Sequence, residues 1–456
     1  MRMDMTNLFS AIYRAVRSAA VFTVFLAALS STGYAADSIW APPELEKLIE
    51  EALANNQSIS SRQARVKGLE NRIPAAGALP DPKVGFALLS LPTDSFSFEQ
   101  EAMTQKQIFL EQAVPWLSKL DLRSEIAAQN AREEEARLEA ARLELARDVA
   151  DAWYELGYVA ESQRINDELF ELLERIRRDA ESEYAVGEGL QQDIFQAGVE
   201  LSRTEDEAVR LESRRSRIED RLHELTNRRE YAPIAPPSNL PEPDFSFSAE
   251  TLAENALTEN PDVKGMQAAI EGAGAETRLA KKDYYPDFNI RLTYGQREED
   301  RSGRDLPDFF SAAVAMDIPL WHKSKQSREV AAASENQRSA RNRYHDLKTR
   351  LPYRIHSLAA EIKDSRRRYA LYQNERIPQA GQWARSALEA YAVGRVAFDT
   401  MIEARIRVLK YRREASRLFY NIYQKRAELE AWTGGAAQTE QQETFHESRG
   451  QSHDDP

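Results

Sequence analysis

The 456-residue sequence contains no cysteine. Disulfide frameworks, thiolate metal sites and cysteine nucleophiles are therefore excluded, and so is a lipid anchor carried on a cysteine. Aromatic residues are scarce, at 9%. Beyond the first 35 residues no run of 18 apolar residues occurs, which excludes a membrane-spanning helix there but not a spanning β-barrel. Positive charge is in deficit: 61 Lys and Arg stand against 74 Asp and Glu, a formal net charge of -13, the wrong sign for a nucleic-acid partner. The six histidines are scattered (223, 322, 345, 356, 446, 453) and make no ligand pair on one helix face. With no paired catalytic motif and no glycine-rich phosphate loop, nothing points to an enzyme or to a bound cofactor.

What is present begins with a leader. Arg14 and Arg17 precede an apolar run from Ala19 to Leu29, and Gly33-Tyr34-Ala35 supplies small residues after it. Residues 1–35 read as a cleaved signal peptide; a membrane anchor is the alternative, but the run is too short to cross a bilayer.

The rest is written twice. Leu48, Ala52, Leu53, Asn56, Ile59 and Ala64 form a helical stripe within 44–79, and Leu252, Ala256, Leu257, Asn260, Val263 and Ala268 repeat it at an offset of 204. The same offset carries Pro82 to Pro286, Pro115 to Pro319 and Lys119 to Lys323. The tetrapeptide Tyr184-Ala185-Val186-Gly187 returns as Tyr391-Ala392-Val393-Gly394, at an offset of 207. The expected organisation is a first repeat over 36–232, a proline-rich extended linker over 233–248, a second repeat over 249–435, and a disordered polar tail over 436–456.

Within each repeat the period changes from helix to strand and back. Phe288, Ile290, Leu292 and Tyr294 alternate with Asn289, Arg291 and Thr293, and Phe310, Ala312, Val314 and Met316 alternate on the return. Strands are expected at about 83–91, 104–114, 286–296 and 308–318. Helical hairpins are expected at 119–226 and 323–432, with coiled-coil seams such as Leu138, Ala141, Leu145, Val149 and Ala152. Residues 119–184 would extend roughly 100 Å. Pro352 and Pro378 predict kinks. Each tip glycine is placed to reverse the chain, with Tyr and Val before it packing across the two helices.

Four strands cannot close a barrel, for which about eight is the practical minimum. Either strands from several copies are pooled, or a small sheet packs on its own helices. The polar residues Glu111, Asn289, Arg291, Thr293 and Asp317 fit a water-filled lumen in the first case, with Tyr294 and Trp321 near the membrane interfaces.

Leader, helix, strand hairpin, long helix, Val-Gly tip and return helix, all duplicated, resemble the TolC family of outer-membrane efflux channels. The specific residues are Leu79-Pro-Asp-Pro82, Gln112-Ala-Val-Pro115 and the two tips, each followed by an acidic residue and by Ala197 or Ala404. Met103-Thr-Gln-Lys-Gln107 looks like the heavy-metal-efflux branch. The resemblance implies a mainly α fold: α-helical coiled-coil hairpins forming an α-barrel, and a transmembrane β-barrel completed in a homotrimer. It implies a passive exit duct in the outer-membrane lipid, with a long periplasmic extension. The partners it implies are a periplasmic adaptor and an inner-membrane pump, often proton-driven. By position the periplasmic gate maps to Asp193, Tyr391, Asp399 and Glu403. The adaptor-docking tips map to Val186, Gly187, Leu190, Val393, Gly394 and Ala397. Three departures stand out. Glu188 and Arg395 follow the tip glycines where apolar residues are common, Thr400 stands where an acid is common, and the lipidated cysteine of many relatives is missing. A metal-ion cargo is the first expectation, drugs or other small organic molecules the second, and a periplasmic coiled-coil adaptor or scaffold the third.

Overall fold

The computed structural model describes residues 42–229, 231–243, 247–300 and 302–435. The expected signal peptide and polar tail lie outside them. The first repeat comprises α1 (Pro43–Asn55), α2 (Gln57–Gly77), β1 (Lys83–Leu89), β2 (Gln105–Val114), α3 (Lys119–Ala185) and α4 (Gln191–Thr226). The second comprises α5 (Ala249–Glu259), α6 (Pro261–Lys282), β3 (Phe288–Gln296), β4 (Phe309–Met316), α7 (Gln326–Leu371), a π-helical turn (Tyr372–Arg376), α8 (Ile377–Ala392) and α9 (Phe398–Trp432).

The two repeats share one core. Leu48 and Ala52 of α1, Trp153 and Leu156 of α3 and Leu222 of α4 pack with Leu252 of α5, Ile355 and Leu358 of α7 and Ile422 of α9. A second cluster sits nearer the tips, where Leu173 and Ile176 of α3 meet Leu201 of α4 and Phe398, Met401 and Ile402 of α9. Between the seams the helices carry charge in (i, i+4) pairs, such as Glu133 with Arg137 and Arg164 with Glu168. Such faces are at home in water, so the apolar stripe alone decides which side packs.

Two expectations need correction. The single helix expected over 44–79 is two, because Asn56 leaves the helical conformation and caps α2, its Oδ1 accepting from the Ser58 and Ile59 amides. Asn260 does the same for α6. Pro352 does not break α7, because Leu351, Ile355 and Leu358 on either side are locked in the core. Pro378 does mark an interruption: the π-helical turn ends just before it. The linker is extended but not a free spacer. Ile234 is buried, and the Trp153 indole Nε1 donates to the Ala235 carbonyl at 3.1 Å.

All four strands form one antiparallel sheet in the order β1-β2-β3-β4, joined between repeats by the β2–β3 pair. The register aligns Lys83, Glu111, Arg291 and Ala313 in one row and Val84, Leu110, Leu292 and Ala312 in the next. Strand side chains alternate faces, so each row belongs wholly to one side of the sheet.

Candidate functional site: the sheet and the two tips

One side of the sheet is apolar and open. Val84, Phe86 and Phe310 are 69%, 68% and 71% exposed, and Ile108, Leu110, Ile290, Val314 and Met316 share that face uncovered. The opposite face holds a polar network. Glu111 accepts from Asn289 Nδ2 at 2.7 Å and from Arg291 Nε at 2.9 Å, and the Arg291 guanidinium lies over the Phe109 ring. Within one chain this is inside out for a water-soluble sheet. The outer strands β1 and β4 pair only inward, with β2 and β3. Unpaired strand edges beside a bare apolar face are stable only where something covers both.

Where sheet meets helices, Trp116 stacks on Tyr285 with ring centres 5.0 Å apart. The buried Lys119 ammonium sits between Asp283 (3.1 Å) and Asp287 (2.9 Å), and Asp287 also accepts from the Trp116 amide. This clamp ties the first repeat to the second, a link that sequence periodicity does not signal. The duplicate of Lys119, Lys323, is exposed and has no such partner among the described residues: the counterpart positions hold Leu79 and Lys83.

Both tips end their helices in the same turn. Gly187 (φ 84°) donates to Tyr184 O and Glu188 to Glu183 O; Gly394 (φ 67°) donates to Tyr391 O and Arg395 to Ala390 O. These are Schellman motifs, in which a left-handed glycine closes the last carbonyls of the helix. Val186 and Val393 do not pack across the hairpins as expected but are 70% and 65% exposed, because they sit at the apex of the reversal. Leu190 and Ala397, which cap α4 and α9, are exposed too.

Three of the four residues mapped to a gate lie near one corner. Asp193 is buried on the first turn of α4, Tyr391 packs edge-on against Phe398, and Asp399 opens α9. Sequence reasoning missed the residue that joins them: the Tyr391 hydroxyl donates to Glu183 Oε2 at 2.8 Å. The available signal was the unlike pair Glu183 and Ala390 at equivalent places before the tips. Burial pushes the Asp193 carboxyl above the usual carboxylate range, and the charges of Glu183 and Asp399 add to this against a backbone hydrogen bond at Leu190. Burial and the Glu183 carboxylate likewise raise the Tyr391 hydroxyl, so it keeps its proton. Glu403 stands apart, exposed and paired with Arg407 at 2.5 Å.

A duplicated helical hairpin with a four-stranded, half-apolar sheet is the architecture of outer-membrane channel proteins. The family model for outer membrane efflux proteins matches residues 48–228 and 252–435, and the chain belongs to that family. It is thus an outer-membrane efflux channel with a periplasmic helical extension, and not an enzyme. No curated protein sequence matches it. Among solved structures it is similar to the outer membrane protein VceC from Vibrio cholerae, with 19% identity, TM-score 0.73, and 86% of this chain and 96% of that one covered. CusC, described in terms of folding and transmembrane channel formation, gives 15% identity, TM-score 0.73 and coverage of 87% and 93%. The open state of the Neisseria gonorrhoeae MtrE outer membrane channel gives 16%, 0.69, and 87% and 90%.

Proposed function

We propose that the protein is the exit channel of a tripartite efflux system and that it works as a homotrimer. The observation that carries this is the sheet, with its uncovered apolar face, its polar opposite face and its two outer edges left unpaired. Three copies supply twelve strands, enough to close a barrel, and closure pairs β4 of one copy with β1 of the next. The apolar face then meets lipid, and the Glu111–Arg291–Asn289 network faces water. The signal peptide delivers the chain to the periplasm, and the barrel rather than a lipid holds it in the membrane.

The tips are where a periplasmic adaptor docks, on Val186, Gly187 and Leu190 of one hairpin and Val393, Gly394 and Ala397 of the other. Exposed valines at a rigid turn suit a small apolar contact. Asp193, Tyr391 and Asp399, with Glu183, form the gate, and Glu403, paired with Arg407 apart from that cluster, faces the duct. Energy comes from an inner-membrane pump, proton-driven in this reading. A tunnel lined by carboxylates favours cations without choosing among them, so the cargo is selected upstream. Metal cations are the reading favoured by Met103-Thr-Gln-Lys-Gln107. The fold is equally like that of VceC and CusC and does not discriminate, so drug or organic-molecule export is the second reading.

Two measurements test this. Native mass spectrometry of the detergent-extracted protein should give three copies; a monomer that stays soluble without detergent would sink the channel. Cells lacking the protein should become sensitive to copper, silver or zinc. Unchanged metal tolerance with new drug sensitivity would move the cargo to the second reading.

A further inference from the structure

A groove between the two hairpins gathers three arginines that have no carboxylate of their own. Its floor is α9 at Arg405, Val408 and Leu409, and its walls are Leu172 and Arg175 of α3 and Ala384 and Arg385 of α8. The space is about 450 Å³, the size of a small-molecule site. Nearby arginines are held by acids: Arg164 and Arg412 by Glu168, Arg407 by Glu403, and Arg417 by Glu414. Among the described residues Arg175, Arg385 and Arg405 have no such pair.

Arg405 makes the contrast sharpest. It is half-buried, and its Nε is shut off from solvent with no hydrogen-bond partner among the described residues. Buried donors in folded proteins are normally satisfied, but no acid among the described residues engages this guanidinium, and its two other nitrogens are the ones an acceptor in the groove reaches. Two carboxylates also line the groove. Glu168 is already bound on both sides by Arg164 and Arg412; Glu171 is exposed and has no ion pair among the described residues. Three guanidiniums thus face one unengaged acid, over a floor of leucine, valine and alanine.

We propose that this groove is a binding site for an amphipathic organic anion. The acidic head, a carboxylate or sulfonate, takes the guanidinium forks of Arg405 and its neighbours, whose planar donors suit such groups. The apolar body lies on Leu172, Val408 and Leu409. The site is separate from the proposed gate. Arg405 is two residues past Glu403, about 200° round the α9 axis at roughly 100° per residue, so it faces away from the charge assigned to the duct. It also spans the repeats: an occupant bridges α3 of the first hairpin to α8 and α9 of the second. Arg175 lies 12 residues before Gly187, roughly 18 Å along α3. By binding one hairpin spacing better than another, a ligand there biases the spacing.

The test is calorimetric titration of the full-length protein in lipid nanodiscs with three probes: 2-naphthoate, neutral 2-naphthalenemethanol and inorganic phosphate. Naphthoate should bind saturably, and the alcohol and phosphate at least about tenfold more weakly, the change that about 1.4 kcal/mol produces. Arg405→Gln should weaken naphthoate by about tenfold and Arg385→Gln, on the rim, by less, while Arg178→Gln on exposed α3 surface should leave it unchanged. Thermal melting of each variant checks that it is folded. The proposal is overturned if wild-type protein shows no saturable naphthoate binding, as when a neighbouring copy fills the groove. It is equally overturned if either control probe binds as well as naphthoate, or if folded Arg405→Gln and Arg385→Gln both bind like wild type.

Discussion

Tyr391 and Glu183, 208 residues apart, are joined by a 2.8 Å hydrogen bond that fastens the second repeat's tip to the first. Their counterparts cannot do the same, since Tyr184 is exposed and the position that matches Glu183 holds Ala390. Tyr391→Phe removes the donor and keeps the ring against Phe398. At a half-exposed site the loss should be about 1 kcal/mol, or about fivefold in the ratio of open to closed tips. Single-channel conductance in planar bilayers should rise, and an unchanged open fraction would remove the bond from the gate.

Asp193 should make the tip pH-dependent. Its native pKa is raised by burial and by Glu183 and Asp399, so the folded tip holds the proton more tightly than the unfolded chain does. The stability it contributes is present below the ordinary carboxylate pKa of about 3.9 and is lost as pH rises through the higher native value. Amide exchange over 190–197 should therefore show less protection as pH is raised from about 4, after correction for intrinsic exchange. Asp193→Asn should flatten that dependence; an equal slope in the variant would show that another group titrates.

Gly187→Val and Gly394→Val should each destabilise a tip. A Cβ at either glycine meets nothing within 4 Å, so the cost is the left-handed backbone alone, about 1–2 kcal/mol. Val186→Ala and Val393→Ala change an exposed side chain and should leave thermal stability within about 0.5 kcal/mol, yet lower export. Normal export in the alanine pair would place the adaptor elsewhere.

Lys119→Met should lower the melting temperature, because it leaves Asp283 and Asp287 without their shared cation. Both acids are partly exposed, so the cost is discounted from the fully buried case to about 1–3 kcal/mol. Lys323→Met, at the duplicate position, should change little. Equal losses would mean that Lys323 finds a partner in the assembled protein.

The duplicated plan was legible because apolar periodicity and glycine punctuation are local. The fixed offset from Leu48 to Leu252 sufficed to find it. Asn56 was misread as part of a stripe, since a capping side chain and an interior one occupy the same phase. What sequence could not supply were contacts across the fold. Glu183 meets Tyr391, Lys119 meets Asp287, and Arg405 faces Arg175 only because the helices bring distant segments together. The exposure of Val186 was hidden for a related reason: a valine beside a helical seam reads as packing until the turn geometry is known.

The Lys119 clamp and the Tyr391–Glu183 bond both lie on the seam inside one chain, one at each end of α3. In the proposed trimer that seam occurs three times, and three more seams run between copies, where Lys83, Leu79 and Ala390 offer no equivalent fastening. Such a tube is not uniformly elastic. Three fastened seams alternate with three unfastened ones, and widening at the far end begins in the unfastened set before it strains the bonds inside each chain.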